Sequence, residues 1–494
     1  MGILENILIK LPWWSVRKAT FILFLTFLGS ILVGIFAFTL YMRSLPSLST
    51  WHTTILQNEF TSESNIKDFD AYIALEDRLF AELDSEVYNK VLPSEKNHIY
   101  RYTKGSVSDP KRWKKEWNRS FELSVKNPKM GVLLLHGMSD SPYSLHAQAE
   151  YLHKQGVWVV AMRMPGHGTI PSGLREIKWQ DMEAVVKIGM DRLKEKLGDK
   201  PIHIIGYSTG APLALNYTLE AIDDTTLTLP ESLIFYSPAI GVSKAAPLAI
   251  WQSRIGHLFN LPKLEWNSIN PEYDPFKYGS FAVNAGDQVY RVCIEVQKKF
   301  DDYLKDTKPK KPFPPVLSFA SIIDATVKVS ATVNNLYKRL PEGNHTLVLF
   351  DINNVFNSNR LVKHNVTRTI EELRNSPADP DYTFDFITDI NTTDGHIRQI
   401  RTPKKGHKVA KQLPFSWPKG IYSLSHLAMP ISSNDPLYGN ENAPKSPGIR
   451  LGYLAMYGET SVLETSAASL LRQRWNPFHA YTKQRVLEFM GLEQ

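Results

Sequence analysis

Gly206-Tyr207-Ser208-Thr209-Gly210 sets a serine between two glycines, at the end of an apolar run, Ile202–Ile205, and at the start of an amphipathic one, Ala211–Leu219. A strand that turns sharply into a helix at such a pentapeptide lifts the serine Oγ above the sheet. Gly206 and Gly210 permit the tight turn, and the helix N-terminus behind it favours developing negative charge. The chemistry this suits is attack by Ser208 on an acyl carbonyl; a purely structural turn is the bland alternative.

A serine hydroxyl needs a base to take its proton, an acid to orient that base and two N–H donors for the oxyanion. Thr209, next after the serine, offers one backbone N–H. Leu135-His136-Gly137-Met138 ends an earlier apolar run, and the Met138 N–H is the expected second donor, with His136 ordering the loop by hydrogen bonds. For the acid, Val316–Phe319 runs into Ser321-Ile322-Ile323-Asp324, where Asp324 either holds the base or caps the turn that follows. The base should come after the last core strand. Of His364, His396, His407, His426 and His479, only His426 follows directly on a β-like segment, Tyr422-Ser423-Leu424-Ser425, and it is the expected base.

These residues need a scaffold, and the alternation of short apolar runs with amphipathic stretches predicts strand-helix-strand units around a mostly parallel sheet. The expected strands are Gly131–Leu135, Trp158–Met162, Ile202–Ile205, Leu233–Tyr236, Val316–Phe319 and Thr346–Phe350. Helices are expected at Leu145–Gln155, Trp179–Leu197, Ala211–Leu219, Thr326–Leu340 and from about Pro477 to Met490. Two excursions interrupt the rhythm. One, 242–312, is rich in Pro, Trp, Asn and Tyr and reads as a cap or lid. The other, 353–419, contains a stretch from Arg398 to Lys419 with seven Lys or Arg and no acid. That stretch reads as a solvated loop or as a contact for anionic lipid headgroups.

Taken together, the residues resemble the α/β-hydrolase superfamily, and within it the bacterial carboxylesterase and monoacylglycerol-lipase-like branch. The resemblance rests on His136-Gly137 with Ser141-Pro142, on Pro165-Gly166-His167-Gly168-Thr169, on the Ser208 pentapeptide, and on Asp324 and His426. It implies an α/β-hydrolase fold with a cap insertion over 130–494, and an ester or related acyl bond cleaved through an acyl-serine. His167 is expected to shape its loop rather than to catalyse. The separation of Asp324 from His426 is much longer than in a minimal member and corresponds to the second excursion.

Ala19 to Met42 runs for 24 positions without a charge, enough to span a hydrocarbon core. Lys10, Arg17 and Lys18 precede it and Arg43 follows, which predicts an anchor with residues 1–18 in the cytoplasm and the catalytic domain on the far side. A cleaved signal peptide is the alternative. Residues 43–129 are polar, with one amphipathic stretch near Asp68–Tyr88, and read as a stalk and lead-in. Apolar and charged fractions of 43% and 22% exclude disorder for a chain of 494 residues. The net charge of +7 has no aromatic-interleaved basic patch to suggest nucleic acid, and the lone Cys293 and scattered histidines predict neither metal nor cofactor. The function expected is a membrane-anchored serine hydrolase acting on a small-molecule or lipid ester. An acyltransferase or peptidase with the same triad, and a non-catalytic tethered binding protein, are the rivals.

Overall fold

Runs such as Val132-Leu133-Leu134-Leu135 and Ile202–Ile205 carry apolar side chains on both faces, so each must be covered on both sides. In the computed structural model they are the fully buried centre of a sheet with helices packed on it. The structure describes residues 13–241, 256, 261–305, 311–324, 326–351, 368, 371–374, 381–390, 395–404, 407–417, 429–452 and 474–492.

Ten described strands form the main sheet in the order β1-β3-β2-β4-β5-β8-β9-β10-β11-β12. They are β1 (Phe121–Leu123), β2 (Met130–Leu135), β3 (Val157–Met162), β4 (Ile202–Tyr207), β5 (Ser232–Tyr236), β8 (Val316–Ser321), β9 (Thr346–Phe350), β10 (Thr383–Thr388), β11 (His396–Thr402) and β12 (Val409–Ser416). Short β6 (Trp266–Ser268) and β7 (Phe281–Ala282) pair apart from it. From β3 to β10 every neighbour is parallel, while β1, β11 and β12 run antiparallel to theirs. All six expected strands are present, each within two residues of its predicted bounds.

The longer helices are α1 (Trp13–Ser44), α2 (Phe69–Leu83), α3 (His146–Lys154), α4 (Trp179–Leu197), α5 (Gly210–Asp223), α6 (Val283–Lys305) and α7 (His479–Phe489). Helix α1 belongs to one compact unit, residues 1–48, and everything from Ser49 onward to the other. Its stretch Arg17–Ser44 is long and apolar enough to cross a membrane. The hydroxyls of Thr26, Ser30 and Thr39 donate to the carbonyls four residues back, at 2.8 Å each, which satisfies them within the helix itself.

Four sequence expectations change. Residues 49–129 are not a stalk: they fold into the second unit, with Trp51, Tyr72, Leu79, Val87 and Tyr102 buried. The excursion 242–312 is not all cap, because its second half is α6, whose Val289, Val292, Cys293, Val296 and Phe300 recur at helical spacing and pack inward against α5. The excursion 353–419 holds three strands that extend the sheet, the alternation in β11 burying Ile397 and Gln399 while His396 and Arg398 stay exposed. The expected helix 326–340 is shortened to Val329–Tyr337, an α-helical turn at Val329–Thr332 that continues directly into a π-helical one at Val333–Tyr337. Its Val and Thr residues lose side-chain freedom in a helix and weaken it.

The basic run is likewise split by its register. Arg401 grips the buried Asp385 through two bonds of 2.7 Å, Lys404 reaches Glu342 at 2.8 Å, and Arg398 and Lys411 project from opposite faces of the β11–β12 pair. Among the described residues the run does not form one cationic face.

Candidate active site

Ser208 stands directly at the end of β4, with φ of +52°, in the left-handed region that a non-glycine residue occupies only under constraint. The constraint is visible. Its N–H donates to the Tyr236 carbonyl at 2.9 Å, and its own carbonyl accepts from Ala211 and Ala239, both at 3.1 Å. The half-buried side chain is thereby set at the N-terminus of α5. The glycines flanking it are steric necessities. A Cβ on Gly210 would lie 2.2 Å from the Leu135 carbonyl oxygen, and one on Gly206 2.7 Å from the backbone of Gly210.

The loop after β2 lies against this serine. A Cβ on Gly137 would come within 3.1 Å of the Ser208 Cβ, so only glycine lets the two backbones approach this closely. His136 is fully enclosed, its Nδ1–H donating to the Gly137 carbonyl at 2.8 Å and its Nε2 accepting from the Met164 N–H at 3.0 Å. Burial lowers its pKa to about 3, so the ring is neutral, as that pair of bonds requires. The Gly137 carbonyl also accepts from the Asp140 N–H at 3.2 Å. Because that carbonyl shares a trans peptide with the Met138 N–H, fixing one turns the other the opposite way. Among the described residues, neither the Met138 nor the Thr209 N–H has a protein acceptor. Two such donors, one at a helix N-terminus, make a site suited to an oxyanion.

His167 closes the other side of the loop. Its Nδ1–H donates to the Pro165 carbonyl at 2.8 Å and its Nε2 faces the Met138 sulfur at 3.2 Å, while its ring lies 5.1 Å from that of His136. Burial lowers this pKa to about 3 as well, with the neighbouring His136 adding to the effect.

Asp324 follows β8, two strands over from β4, roughly 10 Å across at the usual strand spacing. It is buried, and its Oδ1 accepts from the N–H groups of Thr326 (2.8 Å) and Val327 (2.9 Å). The capping role weighed from the sequence is thus real, and it fixes the carboxylate's orientation. His426 and His364 lie outside the described residues. His396 opens β11, five strand spacings from β4 in the sheet order, and His407 precedes β12, one spacing further. At roughly 24 Å or more these two are out of reach of Ser208. His479 is half-buried at the start of α7, its pKa lowered to about 4 by burial.

Several residues that support the site were invisible in the sequence. Arg163, fully buried just after β3, donates to the His167 carbonyl (3.1 Å), to Glu76 of α2 (2.9 Å) and to both Glu59 oxygens (3.0 and 3.1 Å). Arg101 donates to the Gly168 carbonyl (3.1 Å), Tyr102 to that of Thr169 (2.9 Å), and Tyr278 to that of Gly166 (3.1 Å). The one local hint was Glu76 itself, an acid on the apolar stripe Tyr72-Leu75-Leu79 of an amphipathic helix.

A family model described as serine aminopeptidase, S33, matches residues 126–353, which take in β2 through β9 with Ser208 and Asp324. The thermostable monoacylglycerol lipase of Bacillus sp. (strain H-257) is 32% identical over 179 residues, covering 36% of this chain and 67% of the lipase. Among solved structures, the monoacylglycerol lipase of Paleococcus ferrophilus is 19% identical, over 47% of this chain and 89% of that one, with a TM-score of 0.36. A soluble variant of monoglyceride lipase from Saccharomyces cerevisiae is 17% identical, over 47% and 82%, with a TM-score of 0.37.

Proposed function

The chain belongs to the α/β-hydrolase superfamily, among its monoacylglycerol-lipase-like members, and from that premise we propose that it is a membrane-anchored serine hydrolase that cleaves a carboxylic ester through an acyl-serine. That it is a hydrolase of the esterase or lipase type follows from the family; the serine mechanism, the residue roles and the anchor are our reading. The observation that carries it is the conjunction at β4: a serine held at φ +52° beside two N–H groups without a protein acceptor among the described residues.

In this mechanism His426 takes the Ser208 proton as Oγ attacks the acyl carbonyl, and the Met138 and Thr209 amides receive the oxyanion. Asp324, its Oδ1 fixed by two backbone donors, accepts the imidazole N–H through Oδ2 and stabilises the charged ring. The alcohol leaves with the proton from His426, and water then attacks the acyl-serine by the same base to release the acid. Gly137, Gly206 and Gly210 admit the close backbone approach, and neutral His136 and His167 hold the donor loop. The apolar Arg17–Ser44 helix anchors the enzyme with its N-terminus in the cytoplasm and the catalytic unit beyond the membrane, where a lipid ester is the favoured substrate.

The test is covalent labelling by a fluorophosphonate probe together with hydrolysis of short p-nitrophenyl esters. Ser208→Ala abolishes both; a labelled Ser208→Ala protein refutes the nucleophile. His426→Ala lowers kcat by roughly 10⁴-fold or more whereas His364→Ala does not, and an active His426→Ala enzyme removes that residue from the triad. A peptidase with the same triad is the second reading, favoured by the description of the matched family. Release of p-nitroaniline from aminoacyl anilides faster than of p-nitrophenol from esters decides for it.

A further inference from the structure

Beyond His426 the described chain resumes at Met429, and from there to Tyr438 it is fastened to the turn that follows the Met138 loop. The Pro430 carbonyl accepts from Gln148 Nε2 at 2.7 Å. Asp435, its side chain wholly buried, accepts at Oδ1 from the Tyr143 hydroxyl (3.0 Å) and from the N–H groups of Leu437 (2.8 Å) and Tyr438 (2.7 Å), while Oδ2 lies 3.4 Å from His146 Nε2. The Tyr143 ring is stacked between His146 and Phe276, both with centroids at 4.2 Å. A second tie runs alongside. Tyr438 donates to Asp274 Oδ2 at 2.7 Å, Asp274 Oδ1 accepts from the N–H groups of Phe276 and Lys277, and Lys277 Nζ meets Asp140 Oδ1 at 2.9 Å. Asp140 in turn packs on Gly137, against Ser208.

Packing alone does not call for a carboxylate here. A buried charge costs several kcal/mol unless its lone pairs are engaged, and an apolar side chain of the same size would fill the space without that cost. What the carboxylate adds is direction. Its contacts join two segments almost 300 residues apart, the turn 141–148 and the stretch 429–438, the latter beginning three residues after His426.

We propose that Asp435 is a positioning residue, a clasp that holds the stretch following His426 against the Tyr143–Gln148 turn, so that the base and the Met138 donor are set relative to each other by one buried carboxylate. The proposal rests on Ser208 and His426 acting as nucleophile and base. It assigns to Asp435 no contact with substrate.

The experiment uses the full-length enzyme and two variants, Tyr143→Phe, which keeps the ring stack and deletes one hydrogen bond, and Asp435→Asn, which keeps the shape and removes the charge. Each lowers kcat for a p-nitrophenyl ester by about 10-fold or more, with KM within about two-fold of wild type, because misplacement of reacting groups acts on the transition state rather than on binding. The double variant falls no further than Asp435→Asn alone, since both break the same tie. Wild-type kcat in Tyr143→Phe overturns the clasp, as does a rise in KM at constant kcat, and Tyr143→Phe decides alone should Asp435→Asn not fold. Labelling of wild type but not of Ser208→Ala, measured in parallel, keeps this outcome separate from failure of the nucleophile itself.

Discussion

The lead-in of residues 49–129 and the strand extension β10–β12 are both additions to the same sheet, yet the first bears on the loop of His167 and the second ends at β12, the edge strand among the described residues. Each contains a buried carboxylate held by arginine: Glu76 by Arg163, and Asp385 by Arg401 with Arg485 at 3.4 Å. The settings differ. The Arg163 side chain is wholly buried and also donates to the carbonyls of Met164 and His167, whereas Arg401 is 39% exposed and donates to Asp385 of the neighbouring strand. In the lead-in the ion cluster fixes backbone that bears on Met138. On the extension it fastens one strand to its neighbour, and the exposed Lys408 and Lys411, with Pro414 in β12, guard an edge against pairing with another chain. An ion pair's position relative to the site, more than its strength, decides whether it matters for catalysis.

The largest expected effect comes from breaking the lead-in cluster. Arg163→Met leaves Glu76 and Glu59 facing each other without the cation, and removal of one partner of a buried pair costs about 3–5 kcal/mol. The midpoint of urea unfolding falls accordingly, and fluorophosphonate labelling of the protein that remains folded slows, because the Arg163–His167 bond that supports the Met138 loop is lost. Labelling at the wild-type rate would separate the lead-in from the site and erase the contrast between the two flanks.

Next in size is an acid effect centred on the same loop. His136 and His167 titrate near 3 in the folded protein and near 6.5 when unfolded. Their neutral burial therefore contributes stability that is whole above pH 6.5 and is lost as the pH falls towards 3. By pH 5 the loss amounts to about 2 kcal/mol for each ring. His136→Gln, measured by urea unfolding at pH 7 and pH 5, shows a smaller drop between the two than wild type does; an unchanged drop would mean that this ring is not the one being protonated.

The same contrast explains what the sequence could convey. Ser208, with its glycines, and the strand ends that carry Met138 and Asp324 were legible because each depends on a local pattern, a turn pentapeptide or an apolar run with a polar residue at its end. The strands β2, β4, β5, β8 and β9 were legible for the same reason, being buried on both faces. Arg163 and Glu76 were not, since they are 87 residues apart and their pairing exists only once the fold brings them together. The extension failed for another reason: Thr383–Thr388 and His396–Thr402 mix charged and apolar residues in runs too short to announce strands. In α6 the helical spacing was present, but it lay within a stretch whose Pro and Trp content pointed to a lid.

The smallest effects belong on the extension. Arg401→Met leaves the buried Asp385 with Arg485 alone, at 3.4 Å; because Arg401 is partly screened by solvent and the second arginine remains, the loss is about 1–2 kcal/mol, below that of a wholly buried pair. Lys411→Gln on the exposed face of β12 changes stability by less than about 0.5 kcal/mol. Both variants keep the kcat and KM of wild type, because β11 and β12 lie at least five strand spacings from β4 and no hydrogen bond described for them runs to the Met138 loop. Lys411→Gln does, however, strip a cation from β12, the edge strand among the described residues, and its expected cost is intermolecular: light scattering on warming begins at lower protein concentration than for wild type. A fall in kcat for either variant would show that the extension reaches the site after all, and the distinction between the two flanks would have to be redrawn.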